Sequence, residues 1–283
     1  MSTGGWMPRR ATFAFCLSLT AITTSTIVEA EPPKPTQISI RYNATLAGIY
    51  VGTARLQIAL TRNAYNIAAT GSLGGVLKSL IGFKLTVNSY GILSNRKMIP
   101  QRYTTDYGTR DSSRSIKINY SASHKAMVSA EPPFFPSRSR IALKPGHLKN
   151  TLDPLSALLM PVKKNLGAIS PDNCQRLMPV FDGRMRYNLK VSRSETQKPN
   201  HKIRGFKGPV IICRIKIQPV SGYSIPKGGR KKTPANGDIE IWLTPTGPAG
   251  VLIPVKGRLP TPLGIAEISL RRLYLNGQKV AAL

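Results

Sequence analysis

Residues 37–60 read QISIRYNATL-AG-IYVGTARLQIAL. In both arms apolar and polar residues alternate, so every second side chain falls on one face, as in a half-buried strand. Ala47-Gly48 between them is a turn. TRN at 61–63 turns the chain again and AYNIAATG (64–71) repeats the alternation. This is an antiparallel meander with Gly and Asn at its corners. Working outward, KLTVNSYGILSN (84–95), KMIPQRYTTDYG (97–108), SRSIKINYS (113–121) and KAMVSAEPPFFP (125–136) continue it. In the second half, Asp182-Gly183 is a hairpin signal between LMPVF and MRYNLKV. GPVIICRIKIQPVSGY (208–223), DIEIWLTP, GVLIPVKGRLP and GIAEISLRRLYL form a closing meander. The expected fold is mainly all-β: a strongly curved antiparallel sheet, a half-barrel or β-spiral, with one or two short helices on its concave face. The 283 residues suffice for a sizeable core.

Two segments break the alternation. In SLGGVLKSLIGF, Leu73, Val76, Leu77, Leu80 and Ile81 fall on one helical face, which predicts a short helix on the sheet. The second is TLDPLSALLMPV (151–162). Thr151 and Asp153 are candidate N-caps, Pro154 suits the first helical position, and Pro161 ends the segment. The expected helix spans 153–160 and puts Leu155, Leu158 and Leu159 into the concave groove. Two turns are too short to stand alone, so this segment is either fixed core or a movable plug. Leu77, Leu80, Phe134 and Phe135 are candidate ligand-groove or contact residues.

The N-terminus indicates the compartment. MSTGGWMPRR ends in two arginines, residues 11–28 carry no charge, and Val28 and Ala30 are small residues at −3 and −1. That is the pattern of a secretory signal peptide over 1–30, cleaved after Ala30; retention as an anchor is the alternative. A linker (31–36), a single β domain (37–275) and a C-terminal tail (276–283) follow. The expected location is the periplasm.

Lys plus Arg number 41 against 12 Asp plus Glu, a net charge of +29. Losing Arg9, Arg10 and Glu29 with the signal would leave 39 and 11. Such a chain attracts polyanions. An exported protein rarely meets DNA, so no nucleic acid is expected, and the expected partners are a lipid, a glycolipid or an envelope protein, with at most peripheral membrane contact. The bland alternative is a solvated basic surface. Export would also leave two cysteines, Cys174 and Cys213, whose expected state in an oxidising compartment is a disulfide.

Catalytic patterns are absent from the sequence. His124, His147 and His201 each lie close to a lysine in loop-like contexts, where positive charge disfavours protonation and metal binding. There is no GxSxG elbow, and GSLGG lacks the Lys-Ser/Thr tail of a phosphate loop. Asp153 and Asp182 have cap and turn roles, and Asp238 and Glu240 suit surface ion pairs. No metal, cofactor or enzymatic activity is expected.

DPLSALLMPV, PVFDGRMRYNL, GPVIICRIKIQPVSGY, DIEIWL and VLIPVKGRLPTPLGIAEISL, with GIYVGTARLQIAL near the start, resemble in order and spacing the bacterial family called domain of unknown function 3108. The resemblance covers about residues 37–275 and implies an exported envelope protein without established chemistry. The build is similar to periplasmic lipoprotein-carrier half-barrels and to β-spiral envelope-integrity proteins. By analogy of fold alone, the chain would be a carrier or sensor holding an apolar or anionic-lipid ligand in its groove. The alternative is a scaffold binding an envelope protein or wall polymer.

Overall fold

The computed structural model describes residues 1–5, 35–135, 139–194, 206–224, 238–246 and 250–280. The expected signal peptide (beyond residue 5), most of the linker, and His201 lie outside the described residues. The chain divides into Met1–Pro33, of which residues 1–5 are exposed and irregular, and Lys34–Leu283.

The alternation seen in the sequence becomes β1 (Thr36–Leu46), β2 (Ile49–Leu60), β3 (Ala64–Leu73), β4 (Lys84–Ser94), β5 (Lys97–Gly108), β6 (Ser113–Tyr120) and β7 (Ala126–Glu131). Ile38, Ile58 and Ile67 face one another across three strands and are buried, while Gln57 between its buried neighbours is exposed. The Ala47-Gly48, Asn95-Arg96 and Asn276-Gly277 turns all have positive φ at both central residues. That matches the twist of the flanking strands.

The second half supplies β8 (Met160–Pro161), β9 (Arg176–Phe181), β10 (Arg186–Arg193), β11 (Ile211–Ser221), β12 (Ile239–Pro245), β13 (Val251–Thr261), β14 (Gly264–Leu275) and β15 (Gln278–Val280). The sheet runs β7-β6-β5-β4-β3-β2-β1-β14-β13-β12-β11-β10-β9, antiparallel throughout. Two meanders are thus joined where β1 pairs with β14. The sheet is longer than 37–275, because Thr36 pairs with Leu60 and β15 pairs with β14. The hairpin signalled by Asp182-Gly183 joins β9 to β10: Asp182 N–H donates to the Met185 carbonyl, and Asp182 Oδ1 accepts from the backbone N–H groups of Arg184 and Met185.

The sheet is nearly closed into a barrel. The segment between its edge strands bridges both: Lys149 pairs with Lys125 beside β7, and Leu152 pairs with Val180 in β9. Leu152 N–H donates to the Pro179 carbonyl at 2.8 Å, and Phe181 N–H donates to the Leu152 carbonyl at 2.9 Å. Past the intervening β14, Tyr42 Oη donates to the Pro254 carbonyl at 2.7 Å, pinning β1 to β13.

There are two cores. The barrel interior is filled by Ile40, Ile58, Ile67, Ile118, Phe181, Ile212 and their neighbours. The second core packs Met160, Val162, Met178, Ile211, Ile241 and Leu252 around Cys174 and Cys213. Strand β11 serves both, since Ile211 and Cys213 face one core and Ile212 the other. A strand buried on both faces explains the unbroken apolar run VIIC.

The first predicted helix exists as α1 (Gly75–Leu80), but it does not bury the expected face. Leu80 is 70 % exposed and Ile81 is exposed too. Gly75 and Gly82, both at positive φ, hold the helix to six residues within the β3–β4 connection at the barrel rim, so only part of it meets the sheet.

Candidate functional site

The 152–162 stretch is not the two-turn helix that its sequence predicts. Ser156–Leu158 make one turn of 3-10 helix, and Met160–Pro161 are extended and pair with β13. The residues leave the helix because they have two cores to fill: Leu155 and Leu159 enter the barrel core, Met160 and Val162 the second. A helix would put Val162 on the same face as Leu155 and Leu159, whereas here it enters the other core. Leu158 is 36 % exposed, so its expected place in the groove is a correction; Ala157 is the buried neighbour. Arg96, in the β4–β5 turn, donates to the carbonyls of Val162 and Lys163 and holds the far end of the segment.

Leu155, not Asp153, stands at the N-terminal end of the 3-10 turn, but the Asp153 side chain does close the chain leading into it. Its Oδ1 accepts from the N–H groups of Leu155 (3.0 Å) and Ser156 (2.8 Å). Its Oδ2 accepts from Ser156 Oγ at 2.6 Å and from Ser89 Oγ on β4 at 2.9 Å. Ser156 Oγ also lies 2.8 Å from Tyr65 Oη on β3 and 2.9 Å from Ser89 Oγ. Asp153, Ser156, Ser89 and Tyr65 are all buried. The LDPLS segment is therefore bolted to β3 and β4 from inside the barrel. Thr151, the other candidate cap, is buried but does not cap the turn.

Burial raises the Asp153 carboxyl above its usual value of 3.8, against the lowering pull of the Ser156, Ser89 and Leu155 donors. No cation lies among its hydrogen-bond partners. Burial likewise raises the phenols of Tyr65, Tyr103, Tyr120 and Tyr187, with the Asp153 charge adding to each.

Sequence reasoning missed Tyr65, Ser89 and Gly91 as partners of this segment. Gly91 makes room for Tyr65: a Cβ there would lie 2.6 Å from Tyr65 Oη and 2.2 Å from the Ile99 carbonyl. Their signal is a serine and a glycine at inward positions of β4, where the alternation calls for apolar residues.

An acid, two serines and a tyrosine in one cluster suggest acid–base chemistry, but a reaction needs access. Cavities of about 770 Å³ and 430 Å³ lie elsewhere, and none of the four residues lines them. The cluster's evident work is to fix the segment. Leu159→Asp should therefore destabilise the fold by several kcal/mol, about 3–5, because it buries an unpaired charge. Leu158→Asp should cost about 1 kcal/mol or less. Thermal melts of the two variants check this contrast, and equal losses would contradict the placement of Leu158.

The larger cavity lies by α1 and the β4–β6 ends, and Lys78, Phe83, Lys84, Arg110 and Arg114 line it with Asp106 among others. Leu77, Leu80, Phe134 and Phe135 line neither cavity. Leu77 is half-buried on α1. Phe134 packs on the barrel core and takes the Arg114 and Arg184 guanidiniums at 4.8 and 4.9 Å from its ring centre; Phe135 is 81 % exposed.

Cys174 and Cys213 form the expected disulfide, with Cα atoms 5.4 Å apart. Asp238 and Glu240 pair with Arg214 (3.6 Å) and Arg258 (3.8 Å). His147 Nδ1 accepts from Lys144 N–H, and His124 sits at positive φ before β7. Among the described residues, no three His, Cys, Asp or Glu side chains gather as a metal site would require.

No curated protein matches the chain. A solved structure similar to it is the β-barrel-like protein of domain of unknown function DUF1849 from Brucella abortus. The two share 9 % identity over 86 % of this chain and 98 % of that one, with a TM-score of 0.45. Residues 40–271 match the family described as protein of unknown function DUF3108. With most of its length inside that match, the chain belongs to the DUF3108 family.

Proposed function

We propose that this chain is an exported, non-catalytic binding protein of the cell envelope, whose partner meets the outside of the barrel. It acts as a scaffold or adaptor, not as a carrier of an acyl chain within the sheet. The observation carrying this reading is the locked 152–162 segment. It contributes to both cores, and Asp153 ties it to β3 and β4, so the concave face that a carrier would offer to a ligand is already filled. The disulfide is in keeping with export. The excess of cations favours an anionic partner: a lipid head group, a glycolipid or the acidic face of an envelope protein.

The test is native mass spectrometry of protein purified from its own cells, before and after delipidation. The expected mass is that of the chain beginning at Glu31, with no stoichiometric acyl adduct. An acyl adduct that delipidation removes would overturn the scaffold reading. It would favour the carrier, and the cavity by α1, where Phe83 adjoins Lys78, Lys84 and Arg110, would be its place.

A further inference from the structure

We propose that the outer face of β14-β1-β2-β3 carries a binding site for phosphate-bearing ligands, built on Arg41, Arg55 and Arg271. The inference rests on the reading that the outside of the barrel meets the partner, and it names the chemistry of one such contact.

The strand register sets these cations side by side. Arg41 pairs with Arg272 on β14 and with Arg55 on β2, and Arg55 pairs with Thr70 on β3. The β1–β14 register shifts between Arg41 and Tyr42, where Arg271 is the extra residue on β14, and Arg271 and Arg272 are both exposed. Directly opposed side chains on neighbouring strands start only about 5 Å apart, and like charges there repel. A shallow cavity of about 430 Å³ opens on the cluster. Arg41, Arg55, Arg271 and Lys84 line it, with Thr53 and Thr70, and no Asp or Glu is among its lining residues.

In one other row of the sheet the chain uses two of its few acids to neutralise neighbouring cations. On β12–β14, Glu240 and Glu267 hold Arg258 and Lys256 within 3.1–3.8 Å. In the Arg55 row, the next strand after Thr70 offers Thr86, and only the one after that an acid, Asp106. Guanidinium forks and hydroxyls are donors that match phosphate oxygens in pairs. Three guanidiniums and an ammonium around one depression suit a ligand carrying two phosphates, or a phosphate and a second anion. A phosphate bound between Arg41 and Arg55 would also relieve their repulsion.

The experiment uses the full mature chain and two double variants. Arg41→Gln/Arg55→Gln removes the centre of the cluster. Lys190→Gln/Lys216→Gln removes the same charge from a directly opposed pair on β10 and β11, whose residues line neither this cavity nor the one by α1. Binding is measured to pyrophosphate by calorimetry, and to phosphatidylglycerol vesicles, with phosphatidylcholine as the neutral control. The arginine variant should bind about tenfold more weakly or worse, and the lysine variant like wild type within about twofold. Pyrophosphate binding points to a free phosphate ester and binding to anionic vesicles alone to a lipid head group; either supports the site. Equal losses in both variants, or none in the arginine variant, would overturn it. If wild type still held the anionic vesicles, the outer-surface reading would survive that result. Without ligand the arginine variant should melt no lower than wild type, since it loses a repulsion. A lower melting temperature would mean that the arginines are held by the fold itself, against the proposal.

Discussion

Asp153→Ala should lower the stability of the fold by about 3–4 kcal/mol, or roughly 6–15 °C in Tm for a domain of this size. Four donors converge on this carboxylate. The Ser89, Ser156 and Tyr65 hydroxyls can rotate and satisfy one another after its loss. The N–H groups of Leu155 and Ser156 cannot, because the turn aims them at the vacated space. Two stranded buried donors at about 1–2 kcal/mol each, with a small cavity, give the estimate. Asp153→Asn keeps the shape and an acceptor for both N–H groups, so about 1 kcal/mol is expected. Equal destabilisation by Ala and Asn would show that the charge, and not the acceptor, holds the turn.

The same pair of proteins predicts a pH dependence. Burial raises the folded carboxyl above the unfolded value of 3.8. Between those two values the folded chain holds a proton that the unfolded chain has released. The stability from this group is therefore complete below the unfolded value and is lost as pH rises through the folded one. On acidification from neutral pH, wild type should gain stability relative to Asp153→Asn, which has no such proton to take up. Denaturant melts of both proteins over that range measure the difference. A difference independent of pH would place the folded carboxyl at its ordinary value.

Why the sheet was legible and the segment inside it was not follows from how local each signal is. Alternation in QISIRYNATL and YVGTARLQIAL needs only a half-buried strand to explain it, and the strands lie where the pattern puts them. The role of Asp153 was also local, since its backbone partners lie two and three residues on. By contrast, the apolar run at 155–162 has the composition of a helix face, yet its residues divide between two cores. That division exists only because the β9–β13 region is covered on its outer side as well. No periodicity within ten residues carries this information. The same is true of α1, whose apolar spacing is helical but whose place at the rim leaves Leu80 and Ile81 in solvent. In the polar cluster, Ser89 and Tyr65 lie 64 or more residues from the groups that they meet, and only the register of β3 with β4 brings them together. The arginine row has the same origin: Arg41, Arg55 and Arg272 are unremarkable singly, and the meander turns them into neighbours.

Removing the disulfide should be a further large loss, about 2–5 kcal/mol or roughly 5–15 °C in Tm, measured on Cys174→Ala/Cys213→Ala. The two cysteines are 39 positions apart in sequence, and the loop they close contains β9 and β10. The loss should also be local in origin. Strand β9 is the last of the sheet, paired along its length only to β10, and the bond fastens the turn preceding it to the start of β11. Strand β9 in turn supplies Val180, the partner of Leu152 in closing the barrel. Without the tether, hydrogen exchange should quicken first in β9 and in residues 150–153, while β1–β3 keep their protection. Both cysteines are fully buried in the second core, so reductant alone should leave the native bond intact and should break it once denaturant opens the fold. Rapid reduction of the native protein, or exchange that quickens uniformly across both meanders, would count against a tether that acts through β9. If β9 loosens as expected, the closure of the barrel depends on a bond that a reducing compartment would not keep, and this ties the compartment expected from the N-terminus to the stability of the sheet.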